Sequence, residues 1–319
     1  MPESSAPSPA SCRPSPTPPT RRDPPRPDPS PLGATLSFAR TVLGDIPTAE
    51  LGIVYAHEHL VIHGGRPVQL FPDFELADVG KAVAELAPAQ ALGLRTVVDA
   101  MPADCGRDVL MLAEIARQSG VNVIAPSGLH HERYYHDRHW SVRLSVEEIA
   151  DLFVADISDG IDELDYNGPV VKRTPHKAGV MKIAGSTDGL TARDEKVFAA
   201  AAVAQSRTGC PILTPCEGGT GALEQVAWLV KHGGDPAHIV LSHVDKIVDR
   251  EYHREIAASG ARVELDQAFR WKDGPNGTLQ ILEWLAEDGL TDHVTLGLDA
   301  ARQGYWKAYG GSPGLVDLV

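Results

Sequence analysis

Eight short runs rich in β-branched and other apolar residues recur along the chain from residue 52 onward. They read GIVYAHEH, RTVVDAM, VNVIAPSG, GVMKIAG, PILTPCE, IVLSHVD, ARVELDQ and VTLGLDA. Stretches with helical periodicity lie between or after them, at residues 77–92, 107–118, 144–157, 191–205, 222–232, 249–258 and 277–287. One of these helices begins at Ser145 and carries Glu148 three residues later, which is the pattern of a capping box.

The alternation of strand and helix patterns predicts βα units joined into a parallel sheet. Eight such units fit a closed barrel of about 250 residues. An open doubly wound sheet would carry a glycine-rich phosphate loop after its first strand, whereas GGTG at residues 218–221 follows the fifth run. We therefore predict an α/β fold of the (β/α)8 TIM-barrel type.

Composition sets the domain boundaries and excludes several functions. Residues 1–33 hold nearly half of the 25 prolines and few large apolar residues, so we predict a disordered extension there and the barrel at residues 34–319. The net charge of −14 without a basic patch argues against nucleic acid as a partner. No apolar run approaches the roughly 20 residues that cross a bilayer, so we expect no membrane association.

The four cysteines are far apart and form no CxxC pair, which favours free thiols in a reducing compartment. Arg21 and Arg22 resemble part of an export signal, but prolines follow them instead of an apolar segment. We therefore expect a cytoplasmic protein.

Ionisable residues end several of the predicted strands. His57 and His59 are one residue apart, so they lie on the same face of an extended strand and Glu58 lies on the other. Active sites of barrels form where the carboxyl ends of the strands converge. A single histidine or lysine there is more often a satisfied core residue, but five together are costly to bury unless they bind metal or one another. These five candidates are His57, His59, Lys182, His243 and Asp299.

The motifs TVLGDI with YAHEHL, AGVMKIAGS, GCPILTPCEGGTGALEQ, IVLSHVDK and LGLDAARQGYW occur in that order from residue 41 onward. In this order they resemble the phosphotriesterase family of the amidohydrolase superfamily, which includes phosphotriesterases (aryldialkylphosphatases) and related lactonases. The resemblance implies a catabolic, metal-dependent hydrolase acting on lactones, some of them anionic or phosphorylated, or on organophosphate esters.

The resemblance also implies a centre of two divalent ions, with zinc the first expectation and manganese, cobalt or iron the alternatives. His57, His59 and Asp299 would hold the buried ion, and His243 would bind the more exposed one. Lys182, carboxylated to a carbamate, would bridge both, because a free ammonium has no lone pair for a cation. A hydroxide shared by the two ions would attack the ester, with Asp299 moving the proton.

The sequence departs from the family pattern at Pro215, where the family carries a second histidine ligand for the exposed ion. Proline has no side-chain donor atom. Cys216 or Glu217 are candidate replacements, and a weakened second site is the other interpretation. Two further hypotheses therefore stay open: a barrel that binds a ligand or partner without turnover, and a mononuclear enzyme such as a deaminase.

The second departure is at the end of the sequence, where family members continue into a closing helix. Without that helix, we expect apolar surface on the outside of the last and first strands, at a cost of roughly 25 cal/mol per Å². A homodimer would cover it, and the family resemblance also suggests one.

The loops after the strands are rich in arginine, histidine and aromatic residues. Guanidinium groups match the oxygens of carboxylates and phosphates, so the substrate would be a small lactone or ester with an anionic group. Solvated loop charges are an equally open interpretation. The residues predicted to bind substrate are Arg270, Lys272, Arg302, Tyr305 and His130.

Overall fold

The computed structural model describes residues 37–319, and its centre is a sheet of eight parallel strands. Each of these strands pairs with the next one along the chain. This is the strand order of the predicted TIM barrel, whose fold is thereby confirmed. The strands are β3 (Ile53–Glu58), β4 (Leu94–Asp99), β5 (Asn122–Ser127), β6 (Ala178–Lys182), β7 (Ile212–Pro215), β8 (Ile239–Ser242), β9 (Arg262–Leu265) and β10 (Val294–Leu296).

The barrel closes between the end of β10 and the end of β3. Backbone amides of Leu298 and Asp299 donate to the carbonyl of His57 at 3.3 and 3.0 Å. Gly297 makes this approach possible, because a Cβ there would lie 2.9 Å from the His57 backbone. Closure therefore brings Asp299 next to the histidines of the first barrel strand.

The seven predicted helices are all present, with ends that differ from the predicted ones by a few residues at most. The capping box at Ser145 and Glu148 is formed as predicted. The helices are α2 (Val79–Ala91), α3 (Val109–Ser119), α4 (Val146–Ser158), α5 (Ala192–Thr208), α6 (Ala222–Lys231), α7 (Arg250–Ala258) and α8 (Gly277–Glu287).

Two elements were not predicted. A hairpin of β1 (Phe38–Thr41) and β2 (Gly44–Pro47) precedes the barrel, and its turn residue Val42 donates to the carbonyl of Val123 in β5 at 2.8 Å. Helix α1 (Gly65–Leu70) follows β3. Both are too short for a clear periodic signal. The predicted disordered extension at residues 1–33 lies outside the described residues and stays a prediction.

The segment after β10 forms three short 3-10 turns, at Gln303–Tyr305, Lys307–Tyr309 and Leu315–Leu318. It packs on α2, where the carboxylate of Glu85 accepts from the amides of Ala308 and Leu315 at 2.7 and 2.9 Å. Ile53 nevertheless remains 47% exposed, and every residue of β10 is partly exposed. The last and first barrel strands are thus less covered than β7.

Among the described residues, no helix has the length and apolarity required to cross a membrane. The described cysteines, Cys105, Cys210 and Cys216, are buried free thiols.

Candidate active site

The five ionisable residues predicted from the strand ends meet at one end of the barrel. The carboxylate of Asp299 lies among three imidazoles. Its Oδ1 is 3.3 Å from His59 Nε2 and 3.7 Å from His57 Nε2, and its Oδ2 is 4.0 Å from His243 Nε2. All of these side chains are buried or nearly so.

The alternation of β3 separates its two histidines from Glu58. The Glu58 carboxylate points away from the histidine cluster and accepts from the amides of Leu298 and Ala300 at 2.7 and 3.2 Å. Burial raises the pKa of Glu58 well above its usual value. This residue therefore anchors the segment that carries Asp299, while His57 and His59 lie beside the Asp299 carboxylate.

A buried carboxylate supports two of the histidines from behind. Asp266, which follows β9, lies with its Oδ2 2.8 Å from His243 Nδ1 and 3.2 Å from His57 Nδ1. Burial acts to raise the pKa of Asp266, but His243 and His57 lower it overall, so this group is ionised. A carboxylate on Nδ1 fixes the ring orientation and leaves Nε2 free as a metal ligand.

Glu264 lies on the same strand, with its Oε2 3.4 Å from His57 Nδ1. Neither of its oxygens has a hydrogen-bond partner among the described residues. Burial, together with the charge of Asp266, raises the pKa of Glu264 well above its usual value. Sequence analysis missed both Glu264 and Asp266. Each lies toward the end of the predicted strand ARVELDQ, and the other candidates were chosen because they end predicted strands.

Lys182 is 1% exposed, and its Nζ lies 3.3 Å from His57 Nε2 and 3.3 Å from the carbonyl of Ala100. No carboxylate of residues 37–319 lies within ion-pair distance of this nitrogen. Burial lowers the pKa of Lys182, and the charges of Asp299 and Glu217 offset that effect in part. A desolvated amine with a lowered pKa is nucleophilic, as carboxylation by carbon dioxide requires.

The donor set fits a divalent transition metal. Ring nitrogens of His57 and His243 and a carboxylate oxygen of Asp299 all lie within 4.8 Å of one another, and imidazole with carboxylate is a common set for zinc. His243 and Asp299 also adopt left-handed backbone conformations, with φ of 64° and 50°. Such strain in non-glycine residues concentrates at functional sites.

The last residue of β7 has no side-chain atom that could bind a metal ion. Pro215 is buried, and its carbonyl accepts from Gln225 Nε2 at 3.3 Å. Cys216 is fully buried, does not line the cavity, and burial raises the pKa of its thiol, so it is a poor metal ligand here. Glu217 does line the cavity and pairs with Arg133 at 3.1 Å.

The cluster opens into a cavity of about 220 Å³. Four of the five predicted substrate-binding residues line it, namely Arg270, Arg302, Tyr305 and His130. Lys272 is exposed and lies on a neighbouring groove instead. Glu217, a candidate ligand from the sequence, also lines the cavity, and so do Arg133 and Lys246, which sequence analysis missed.

Arg270 contacts Asp299 and the backbone around it. Its Nη2 lies 3.0 Å from Asp299 Oδ2, and its Nη1 donates to the carbonyls of Asp266 and Leu298 at 2.8 and 3.0 Å. Burial acts to raise the pKa of Asp299, but His59, His243 and Arg270 hold it well below its usual range. Asp299 is therefore an ionised carboxylate held in place by a guanidinium.

The other cavity residues have more freedom. Arg302 pairs with Asp73 at 2.7 Å and lies over the Phe74 ring. His130 Nδ1 accepts from the amide of His131 at 2.7 Å, so its Nε2 carries the proton and is a donor. Burial lowers the pKa of His130 well below its usual value, which keeps the ring neutral.

Comparison with known proteins places these residues in a wider context. The model of the phosphotriesterase family matches residues 37–314. A phospho-furanose lactonase from Mycoplasmopsis synoviae is 38% identical over 280 residues, covering 86% of this chain and 79% of that protein. An aryldialkylphosphatase from Saccharolobus solfataricus is 31% identical, covering 80% of this chain and 78% of its own. The crystal structure of a lactonase from Listeria monocytogenes superposes with a TM-score of 0.79 at 28% identity, covering 88% of each chain.

Proposed function

This chain belongs to the phosphotriesterase family, and we propose that it is a metal-dependent hydrolase whose preferred substrate is an anionic, phosphorylated lactone. The observation that carries the proposal is the convergence of five residues at one end of the barrel, where all but the fully buried His57 line one cavity: His57, His59, Lys182, His243 and Asp299. Relatives named as a phospho-furanose lactonase and an aryldialkylphosphatase, both hydrolases of ester bonds, support it.

In this proposal His57, His59 and Asp299 hold the buried ion, and His243 belongs to the outer one. Lys182, as a carbamate, would contribute to both; its burial without an ion pair supports this. Zinc is the first candidate metal, since imidazole and carboxylate donors suit it. Bound divalent ions would lower the pKa of water and polarise the ester carbonyl.

The side chains of this protein would then move the proton and orient the substrate. Asp299 is ionised, so its carboxylate can accept the proton of the attacking water. Arg270 keeps that carboxylate in place through its 3.0 Å contact. His130 Nε2 can donate to an oxygen of the substrate from the cavity wall.

Basic residues around the cavity favour an anionic lactone over a neutral triester. Lys246 lines the cavity, and its Nζ donates to the backbone carbonyl of Glu217 at 2.9 Å. No carboxylate of the described residues lies within ion-pair distance of it. Arg302 and Tyr305 line the same cavity. A substrate phosphate would supply the missing counter-charge for Lys246.

The test uses the zinc-loaded and manganese-loaded protein with three substrates: a furanose lactone, its phosphorylated counterpart and a neutral organophosphate triester. We expect the phosphorylated lactone to have the highest kcat/KM, by about tenfold or more over the unphosphorylated one, since a charge-assisted contact contributes roughly 1.5–3 kcal/mol. A preference for the triester would overturn the proposed substrate. A complete lack of hydrolysis with all three substrates would overturn the proposal that the protein is a hydrolase.

One observation favours a second candidate, a barrel that binds such a ligand without turnover. Strand β7 ends at Pro215, whose side chain has no atom that could bind the outer ion. Metal-dependent release of product from any of the three substrates would exclude this candidate. Saturable binding of the intact phosphorylated lactone without product would support it.

A further inference from the structure

Strand β7 lies between the two strands that carry donors for the outer side of the metal cluster. The sheet order places β7 beside β6, which ends at Lys182, and beside β8, which is followed by His243. Pro215 and the fully buried Cys216 leave no donor at the strand end itself. The next residue, Glu217, presents a carboxylate to the cavity.

The backbone around Glu217 is fixed on both sides. The amide of Gly219 donates to the carbonyl of Cys216 at 2.7 Å, which closes a tight turn with Glu217 as its first inner residue. The carbonyl of Glu217 accepts from Lys246 Nζ at 2.9 Å. Gly219 packs so closely on the following loop that a Cβ there would lie 2.9 Å from Cβ of Lys246. The turn is therefore held against the loop that begins with His243.

The carboxylate of Glu217 has one engaged oxygen and one available oxygen. Its Oε2 accepts from Arg133 Nη2 at 3.1 Å, whereas Oε1 has no hydrogen-bond partner among residues 37–319. The side chain is 15% exposed. Glu217 thus lines the same cavity as Lys182 and His243, with one of its carboxylate oxygens available.

We propose that Glu217 is the ligand from β7 for the outer metal ion, binding through Oε1 while Arg133 holds Oε2. The inference rests on the proposed function, since it concerns the same metal centre. A carboxylate oxygen is a competent ligand for zinc and manganese. A guanidinium on the second oxygen orients a carboxylate ligand as outer hydrogen bonds generally do.

The experiment measures ions per chain rather than activity. Metal-free full-length protein, Glu217→Gln, Pro215→His and the double variant are each loaded with Mn²⁺, passed through a desalting column and analysed by elemental mass spectrometry. Electron paramagnetic resonance then distinguishes a coupled pair of Mn²⁺ ions from a single ion. Glu132→Gln is the matched control, because Glu132 is an exposed carboxylate on the Arg133 loop that does not line the cavity.

We expect two ions and a coupled spectrum for the wild type and the control. Glu217→Gln should retain one ion and bind the second at least about tenfold more weakly, because the amide keeps the contact with Arg133 but is a poor ligand. Pro215→His should restore the second ion in the Glu217→Gln background. Thermal melting checks that each variant is folded.

Two results would overturn the assignment: a wild type that holds a single ion, or a Glu217→Gln variant that holds two ions with unchanged affinity. Hydrolysis of the phosphorylated lactone is measured on the same samples. A single-ion wild type that hydrolyses it would contradict the role of Glu217 and leave the proposed function intact. A wild type that holds two ions but hydrolyses no lactone would contradict the proposed function and leave the role of Glu217 intact.

Discussion

At the ends of β3, β8 and β10, the candidate ligands His57, His243 and Asp299 are each supported by a second charged group, whereas the end of β7 offers a proline and a carboxylate on a turn. His57 and His243 share Asp266 behind them, and Asp299 is held by Arg270. Glu217 has instead a partly exposed arginine as its partner, since Arg133 is 48% exposed in its side chain.

The contrast indicates different tasks for the two sides. Buried carboxylates behind imidazoles fix the ring orientation in a low-dielectric interior, which favours tight metal binding. A partly exposed ion pair contributes little to stability and rearranges easily. We therefore expect the inner ion to be retained under conditions that remove the outer one.

The largest effect is expected at Lys182, which lies between the two sides. Lys182→Ala should abolish metal-dependent hydrolysis, with a loss of more than the 10–100-fold that an outer hydrogen-bonding partner produces. The reason is that the variant removes the donor contributed to both ions. Steady-state kinetics and metal content measure the effect, and Lys231→Ala, an exposed lysine on α6, is the control. Full activity in a folded Lys182→Ala variant would contradict the metal centre proposed here.

A smaller effect is expected on the supported side. Asp266→Asn should weaken binding of the inner ion by about 10–100-fold, because the neutral amide lacks the negative charge that faces Nδ1 of both His57 and His243. Competition with a chelator measures the dissociation constant. Asp235→Asn is the control, since Asp235 also contacts a histidine Nδ1, that of His238 at 2.9 Å, but at the surface. Equal effects of the two substitutions would contradict the support that Asp266 gives to the inner ligands.

The buried position of His57 also predicts a pH dependence of stability in the metal-free protein. Burial, followed by the positive charge of Lys182, lowers the pKa of His57 to about 3, while an unfolded histidine titrates near 6.5. The unfolded chain therefore binds a proton between these values that the folded chain does not. The free energy of unfolding should fall by about 2 kcal/mol from pH 7 to pH 5 through this group.

Urea denaturation of the metal-free wild type and of His57→Asn at both pH values isolates this contribution. The difference between pH 7 and pH 5 should be smaller by that amount in the variant. An identical difference in both proteins would mean that His57 is accessible to protons in the folded state.

The smallest effect is expected at the basic wall of the cavity beside β7. Lys246→Ala should raise KM for the phosphorylated lactone by about tenfold and leave kcat nearly unchanged, because it removes a contact to a distant anionic group. Lys272→Ala should change KM less than about twofold, since Lys272 lies outside this cavity. The opposite ranking would favour the neighbouring groove as the place where the anion binds.

Much of the barrel could be predicted from the sequence because strand and helix periodicity are local. The eight runs became eight neighbouring strands in chain order, and the capping box at Ser145 formed as predicted. The hairpin Phe38–Pro47 could not be predicted in the same way, since its two strands span only four residues each. Its stability depends on contacts such as that of Val42 with β5.

The sequence by itself determined that His57 and His59 share one face and that Glu58 takes the other, because side chains alternate along any extended strand. Only the tertiary structure decided which group stands behind each ligand. Asp266 lies under two histidines from distant strands, and Arg270 lies against Asp299 rather than free in the cavity. Such pairings depend on the register and closure of the whole barrel, which local periodicity does not specify.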